Sequence, residues 1–190
     1  MLVHRQDNAR GDMVQTQTID RLVISQNGGT HHKATAKFHQ ANIPCIIGNG
    51  GIGQKRREGD GITPAGCWKM AYFLYRADRI LKPSSALAGY AIKTKDSWCD
   101  IPTSNRYNQP LAFTPAGSSE ALWRTDNLYD IVIVLDHNTQ PAISGQGSAI
   151  FIHLSGQNNS HTHGCMAFRK ADLLKILSRC GPKTQVLISP

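Results

Sequence analysis

The chain has 190 residues, 21 Lys and Arg against 13 Asp and Glu for a formal net charge of +8, and 40% apolar residues. One domain with a real core fits that length, and the composition excludes a disordered, collagen-like or coiled-coil chain. Its longest apolar runs, Ile131–Leu135 and Ala149–Ile152, fall far short of the roughly 18 residues that a membrane span needs.

In chain order, residues 1–18 are polar and without period, so a flexible N-terminal segment is expected ahead of one folded domain over 19–190. Met1–Arg10 shows none of the basic segment, apolar run and small-residue cleavage site of a secretory signal. Short β-branched or aromatic runs set between Gly, Pro and Asn then mark candidate strands. These are Arg21–Ser25, Thr35–Phe38, Ile43–Ile47, Trp68–Tyr75, Asp130–Asp136, Ala149–Leu154 and Thr184–Ser189.

Between them, Gly48–Gly66 holds too many turn formers for a regular element, and it lacks the Lys-Ser/Thr pair and strand-to-helix setting of a phosphate loop. The connection from Ala77 to Glu120 carries Trp98-Cys-Asp-Ile-Pro102 and Tyr107-Asn-Gln-Pro110, too aromatic for disorder and long enough to be functional. A short helix is expected at Ser118–Trp123. A clearer one covers Lys170–Cys180, where Leu173, Leu174, Ile176 and Leu177 recur at helical spacing and Gly181-Pro182 stops the run. The expected fold class is mainly β, with long loops and one or two short helices.

The basic residues are scattered apart from Lys55-Arg-Arg57, which Glu58 and Asp60 follow at once. That pattern argues against specific nucleic-acid binding and fits general attraction to an anionic partner. Five cysteines, Cys45, Cys67, Cys99, Cys165 and Cys180, form no CxxC pair and cannot all pair within one chain, so at least one thiol is expected to be free.

The most informative segment is Ile150–Arg169. An apolar strand ends in His153, a polar loop follows, and a His-Gly-Cys triplet leads toward the helix. A thiol is a nucleophile as thiolate, which a nearby imidazole or helix N-terminus favours, and Cys165 is expected to have both in reach. Gly164 removes a side chain beside it, so that consecutive N–H groups can converge as an oxyanion hole. His153, on a rigid strand end, suits a general base.

Other readings compete. A cysteine is ordinarily a packing residue, but Cys165 lies in a polar, Gly-flanked loop. His161, His163 and Cys165 alternate, so an extended segment would place them on one face, with His153 as a fourth ligand for zinc. Gly164 works against that extension.

His153 followed by Thr162-His-Gly-Cys165 resembles the signature of the L,D-transpeptidase catalytic domain family, the YkuD-type domain. The upstream stretch Lys55-Arg-Arg-Glu-Gly-Asp-Gly-Ile-Thr-Pro-Ala-Gly66 is similar to that family's Lys-x-Gly-Asp-x-x-Thr-Pro-x-Gly element. The resemblance runs from about Arg21 to Pro190 and implies a β-sandwich or barrel with the cysteine in a cleft under a loop. It implies action on peptidoglycan stem peptides, without cofactor or metal, in the periplasm or cell envelope.

Carried over to this chain, the resemblance makes Cys165 the nucleophile and His153 the base. The N–H groups of His163, Gly164 and Cys165 become the oxyanion hole, and the His163 carbonyl orients the imidazole. Where the family places an arginine two residues after the cysteine, this chain has Ala167, and Arg169 becomes the substrate-anchoring candidate. Elements like Trp98-Cys-Asp, Tyr107-Asn and His137-Asn138 mark a divergent subgroup. Trp98 and Tyr107 either contact substrate or cap the core, Asp136-His-Asn138 reads as a turn, and Glu58, Asp60 and Thr63 are expected to hold their loop. The acyl acceptor is an amine in a transpeptidase and water in an L,D-carboxypeptidase or endopeptidase. A non-catalytic peptidoglycan-binding or zinc-binding domain is the reading from another class.

Overall fold

The computed structural model describes residues 20–115, 119–156 and 161–190; the segment 1–18 expected to be flexible lies outside them. The chain begins with an antiparallel meander, β1 (Arg21–Gln26), β2 (Lys33–Phe38) and β3 (Ala41–Ile46). A two-residue parallel pair follows, β4 (Ile52–Gly53) with β5 (Thr63–Pro64). Next come the ten-residue β6 (Gly66–Tyr75) and the short β7 (Gly89–Ala91). A separate three-stranded sheet is built from β8 (Ser97–Trp98), β9 (Pro110–Leu111) and β10 (Glu120–Ala121). Last are β11 (Ile131–Leu135), β12 (Phe151–Leu154), β13 (Met166–Phe168), α1 (Lys170–Leu177) and β14 (Gln185–Ser189).

The large sheet closes on itself. Its order is β11-β12-β13-β3-β2-β1-β14-β6, and β6 pairs with β11 in turn. The length of β6 makes this closure: Gly66–Lys69 pair with β14, and Met70–Tyr75 pair with β11. The result is an eight-stranded barrel without free edges in the ring.

Alternation of side chains gives this wall two cores. Ile131, Ile133 and Leu135 of β11 and Ile152 and Leu154 of β12 point inward, where Leu22, Ile24, Met166 and Val186 meet them. Leu173, Ile176 and Leu177 of α1 join this inner core. Val132, Val134 and Phe151 point outward and are covered by Ile92, Trp98, Leu122 and Tyr129 from the long connection. β11 is therefore buried on both faces, which is why it reads as an unbroken apolar run. The connection is a second layer laid on the barrel, and the site forms between the two.

Several expectations change. The helix expected at Ser118–Trp123 is absent over 119–123, Ser118 lying outside the described residues: Glu120 and Ala121 are strand β10, paired with Trp98 and Ser97. A six-residue helix lacks the length to repay its nucleation, and Leu122 is buried by the sheet arrangement. Gly48–Gly66 does contain regular structure, β4 and β5 and the start of β6. The long helix ends at Leu177, three residues early; Cys180 remains buried, its thiol donating to the Ile176 carbonyl at 3.1 Å. β13 was hidden because its three residues are all buried and follow a motif that reads as loop. All five cysteines are free.

Candidate functional site

The Thr162–Cys165 turn is locked from two sides. Thr162 pairs with Gly48: its N–H donates to the Ile47 carbonyl at 3.0 Å, and its carbonyl accepts from the Asn49 N–H at 3.0 Å. Its hydroxyl donates to the Cys165 carbonyl at 2.6 Å and accepts from the Gly164 N–H at 3.2 Å. Thr63, fully buried on β5, accepts from the Gly48 N–H and donates to the Gly164 carbonyl, both at 2.9 Å. The two sequence motifs, 101 residues apart at this contact, are thus one structural unit. Thr63→Val, which leaves both backbone groups buried and unpaired, is expected to lower unfolding free energy by about 2–4 kcal/mol, read by denaturant titration.

Asp60 organises the same loop. It takes the Lys55 ammonium at 2.7 Å and the N–H groups of Arg56, Arg57 and Ile62 at 2.9, 3.2 and 3.0 Å. Burial alone would raise its carboxyl, but these donors outweigh it and hold the pKa at about 2. Glu58, Asp60 and Thr63 lie in the expected loop, with Asp60 and Thr63 as its fasteners.

Cys165 and His153 share the outer face of the barrel wall. β12 and β13 run parallel with Ile152 opposite Met166 and His153 opposite Ala167, so Phe151, His153, Cys165 and Ala167 fall on the face away from the inner core. The Cys165 thiol donates to the Ala149 carbonyl at 3.1 Å, and its sulfur accepts from the Phe151 N–H at 3.4 Å. His153 Nδ1 lies 2.9 Å from the Leu154 carbonyl. A carbonyl only accepts, so Nδ1 carries the proton and Nε2 keeps its lone pair.

Both groups are neutral at rest. Burial pushes the Cys165 thiol up to about 12, with Glu120 adding to it and the Phe151 N–H and Lys55 opposing. Burial also pushes His153 down to about 4, against the Leu154 carbonyl and with help from Arg124. The thiolate expected beside an imidazole and a helix N-terminus is not the resting state. β13 separates Cys165 from α1, so no helix end reaches the sulfur.

The orienting carbonyl is that of Leu154, not of His163. The Gly164 N–H is taken by the Thr162 hydroxyl, which leaves the N–H groups of His163 and Cys165 without partners among the described residues. Gly164 is indispensable to the turn: its φ is +132°, and a Cβ there would lie 2.9 Å from the Ile62 carbonyl oxygen.

Behind the thiol, Trp98, His137 and Asn138 converge on Asn108. Its Oδ1 accepts from the Trp98 indole at 2.9 Å and from the Ala149 N–H at 3.1 Å. Its Nδ2 donates to the carbonyls of His137 and Asn138 at 3.0 and 2.7 Å. Ala149, whose carbonyl receives the thiol, is held with φ +51°, a conformation that costs a non-glycine residue about 1 kcal/mol or more. Trp98 packs edge-on against Phe151 at 5.1 Å. It is a core and scaffold residue, 3% exposed, rather than a cleft-lining one.

The cleft has a volume of about 520 Å³. Lys55 and Glu58 come to it from the β4–β5 connection, and Asp100, Glu120, Arg124 and Tyr129 from the outer layer. Tyr107 is buried and does not line it, but its hydroxyl donates to Glu58, which does. Arg169 does not line it either: it precedes α1, is 73% exposed along its side chain, and donates to Asp172 at 2.9 Å. The arginine that reaches the cleft is Arg124, with its guanidinium 5.1 Å from the centre of the Tyr129 ring.

The segment carrying Arg124 and Tyr129 is clamped from β6 outward. Arg76 donates to the Arg124 carbonyl at 2.6 Å and stacks on Trp123 at 3.7 Å. Arg79 donates to the carbonyls of Arg124, Thr125 and Asp126 and pairs with Asp130 at 2.9 Å. Sequence reading missed Glu120, Arg124 and Tyr129. The signal available was the density of charged and aromatic residues in Glu120–Asp130, obscured by reading part of it as a helix.

The alternating His161, His163 and Cys165 do not become a ligand set with His153. The turn at Gly164 breaks the extension, the rings of His161 and His163 stack 6.3 Å apart, and among the described residues no three His, Cys, Asp or Glu are placed to hold a metal.

The family model of the L,D-transpeptidase catalytic domain, YkuD, matches residues 17–188. No curated protein and no solved structure matches the chain.

Proposed function

Because the chain belongs to the L,D-transpeptidase catalytic domain family, we propose that it is a cysteine acyltransferase acting on peptidoglycan stem peptides. One observation carries this reading: Cys165, directly before β13, and His153 on the parallel neighbour β12 fall on one face and line one cleft, with the proton on Nδ1 so that Nε2 can accept. Among the described residues no helix is long and apolar enough to cross a membrane.

In the first half-reaction, Cys165 attacks the carbonyl between the L-centre of diaminopimelate and the terminal D-alanine while His153 Nε2 takes the thiol proton. The carbonyl oxygen, now an anion, is received by the N–H groups of His163 and Cys165. As the C–N bond breaks, the imidazolium returns its proton to the departing D-alanine amine, which leaves a thioester on Cys165. In the second half, an amine acceptor loses its proton to His153, attacks the thioester and restores the thiol. Attack starts from a neutral thiol, so proton removal and bond formation are coupled, and His153 is indispensable.

The neutral pair predicts a pH profile. kcat/KM is expected to rise through about pH 4 as His153 loses its proton, and then to stay level through neutral and mildly alkaline pH. An acid limb near 6.5, the ordinary histidine value, would instead indicate an imidazole that is not desolvated. Incubation with tetrapeptide muropeptides, with and without an amine acceptor, tests the reaction itself. Crosslinked dimer or an exchange product identifies transfer to an amine, and tripeptide identifies transfer to water.

A further inference from the structure

His153 is held at one ring nitrogen by the Leu154 carbonyl, and a single hydrogen bond does not fix the plane of an imidazole. On the neighbouring strand its register partner is Ala167, whose methyl group offers little to pack against. The ring that meets it is Tyr129, edge-on with centroids 5.3 Å apart and planes at 68°. Tyr129 is 5% exposed, so its hydroxyl needs a buried acceptor. It has one, Glu120 Oε1, from the opposite element of the outer layer.

Resting on the acyl-transfer reading above, we propose that Tyr129 and Glu120 are positioning residues for that reaction. The Tyr129 ring sets the plane of the His153 imidazole, and its hydroxyl is anchored on the Glu120 carboxylate, which lines the same cleft as Cys165. The two residues join base and nucleophile through one fixed point on the outer layer.

Three features make that point rigid. Leu154, which supplies the orienting carbonyl, donates its own N–H to the Leu128 carbonyl at 3.0 Å, directly before Tyr129. Arg76 and Arg79 fasten the carbonyls of 124–126, and the Arg76 backbone N–H fixes the other end by donating to the Asp130 carbonyl at 3.1 Å. Arg124 covers the Tyr129 ring and pairs with Asp126 at 2.6 Å.

The cleft brings charged groups from the β4–β5 connection and from the outer layer around the pair. Tyr129, Arg124, Asp100 and His163 face Glu120; Glu120, Lys55 and Tyr129 face Cys165; Arg124 and Asp126 face His153. Glu120 is the negative group acting on the thiol in that set. Its carboxyl is itself raised, by burial first, with the Tyr129 hydroxyl opposing. The alkylation is followed at pH 8, far above the ordinary carboxylate range.

The test has two arms. In the first, alkylation of the Cys165 peptide by iodoacetamide is followed by mass spectrometry at pH 8 in wild type and Glu120→Gln, with exposed Cys67 as the internal reference. Removing a like charge near a thiol lowers its pKa by about one unit, and the accompanying loss of nucleophilicity offsets part of the gain. A rise of about three- to tenfold at Cys165, with none at Cys67, is expected. In the second, Tyr129→Phe is expected to lower kcat for muropeptides about tenfold with KM within threefold, and Tyr129→Leu about a hundredfold, the phenylalanine ring giving partial rescue.

Unchanged Cys165 alkylation in a folded Glu120→Gln protein, or wild-type kcat in Tyr129→Phe, overturns the proposal. A wild type that alkylates as expected but turns over no muropeptide counts against the acyl-transfer reading alone, and the first arm still decides the role of Glu120.

Discussion

Cys165→Ala is expected to eliminate turnover, by at least about a thousandfold, with little change in unfolding free energy. The sulfur makes two contacts, to the Ala149 carbonyl and the Phe151 N–H, and both are backbone groups at the wall of an open cleft. His153→Ala is expected to lose about 10²–10⁴-fold, because burial pushes the thiol up to about 12 and attack needs a base to take its proton. Cys180→Ser is the control: its buried hydroxyl can still donate to the Ile176 carbonyl that the thiol uses, and activity should persist. Time courses of muropeptide conversion, with melting temperatures for each variant, separate these outcomes. Comparable losses at Cys180 and Cys165 would mean that the roles are misassigned.

Gly164→Ala is the second large effect. At φ +132° an added Cβ meets the Ile62 carbonyl at 2.9 Å, and this carbonyl belongs to the loop that Asp60 and Thr63 hold in place. Neither backbone can yield without breaking the Thr63 bridge or the Thr162 pairing. The expected cost is about 1–3 kcal/mol of stability and a drop in kcat/KM of about a hundredfold or more, since a displacement of about 1 Å at the reacting atoms is enough for that. The activity loss should exceed that of Thr63→Val, which weakens the support but leaves the Gly164 backbone conformation allowed. Equal activity in Gly164→Ala and wild type would show that this turn does not set the nucleophile.

The motif pair was legible because its chemistry restricts residue type. Gly164 takes a φ of +132° that other residues rarely adopt, and the Thr63 element carries the hydroxyl that fastens the turn. The barrel strands were legible where alternation or a β-branched run marked them, as in β1, β6, β11 and β14. β13 was not, because three buried residues carry no period.

The wall of the cleft was least legible. Trp98 and Tyr107 attracted attention as aromatic residues in a long connection. Neither lines the cleft: Trp98 is bonded to Asn108 and Tyr107 to Glu58. Arg169 was reached by counting from the cysteine, but strand geometry turns it to the start of α1. Arg124 reaches the cleft from 41 residues upstream of Cys165, and no local spacing announces that. The zinc reading needed an extended segment, and at Gly164 the backbone turns instead.

The odd cysteine count also takes on a meaning. All five thiols are free, and Cys165 is the one that lines the cleft.

The measurement closest to the central claim is the intact mass of the protein during incubation with a tetrapeptide muropeptide. The account predicts a thioester adduct of the tripeptide fragment on wild type, mapped to Cys165, with D-alanine released. It also predicts accumulation of that adduct when acceptor is withheld and its absence in Cys165→Ala. Substrate converted at equal rates by wild type and Cys165→Ala, or an adduct mapped to another cysteine, would contradict it.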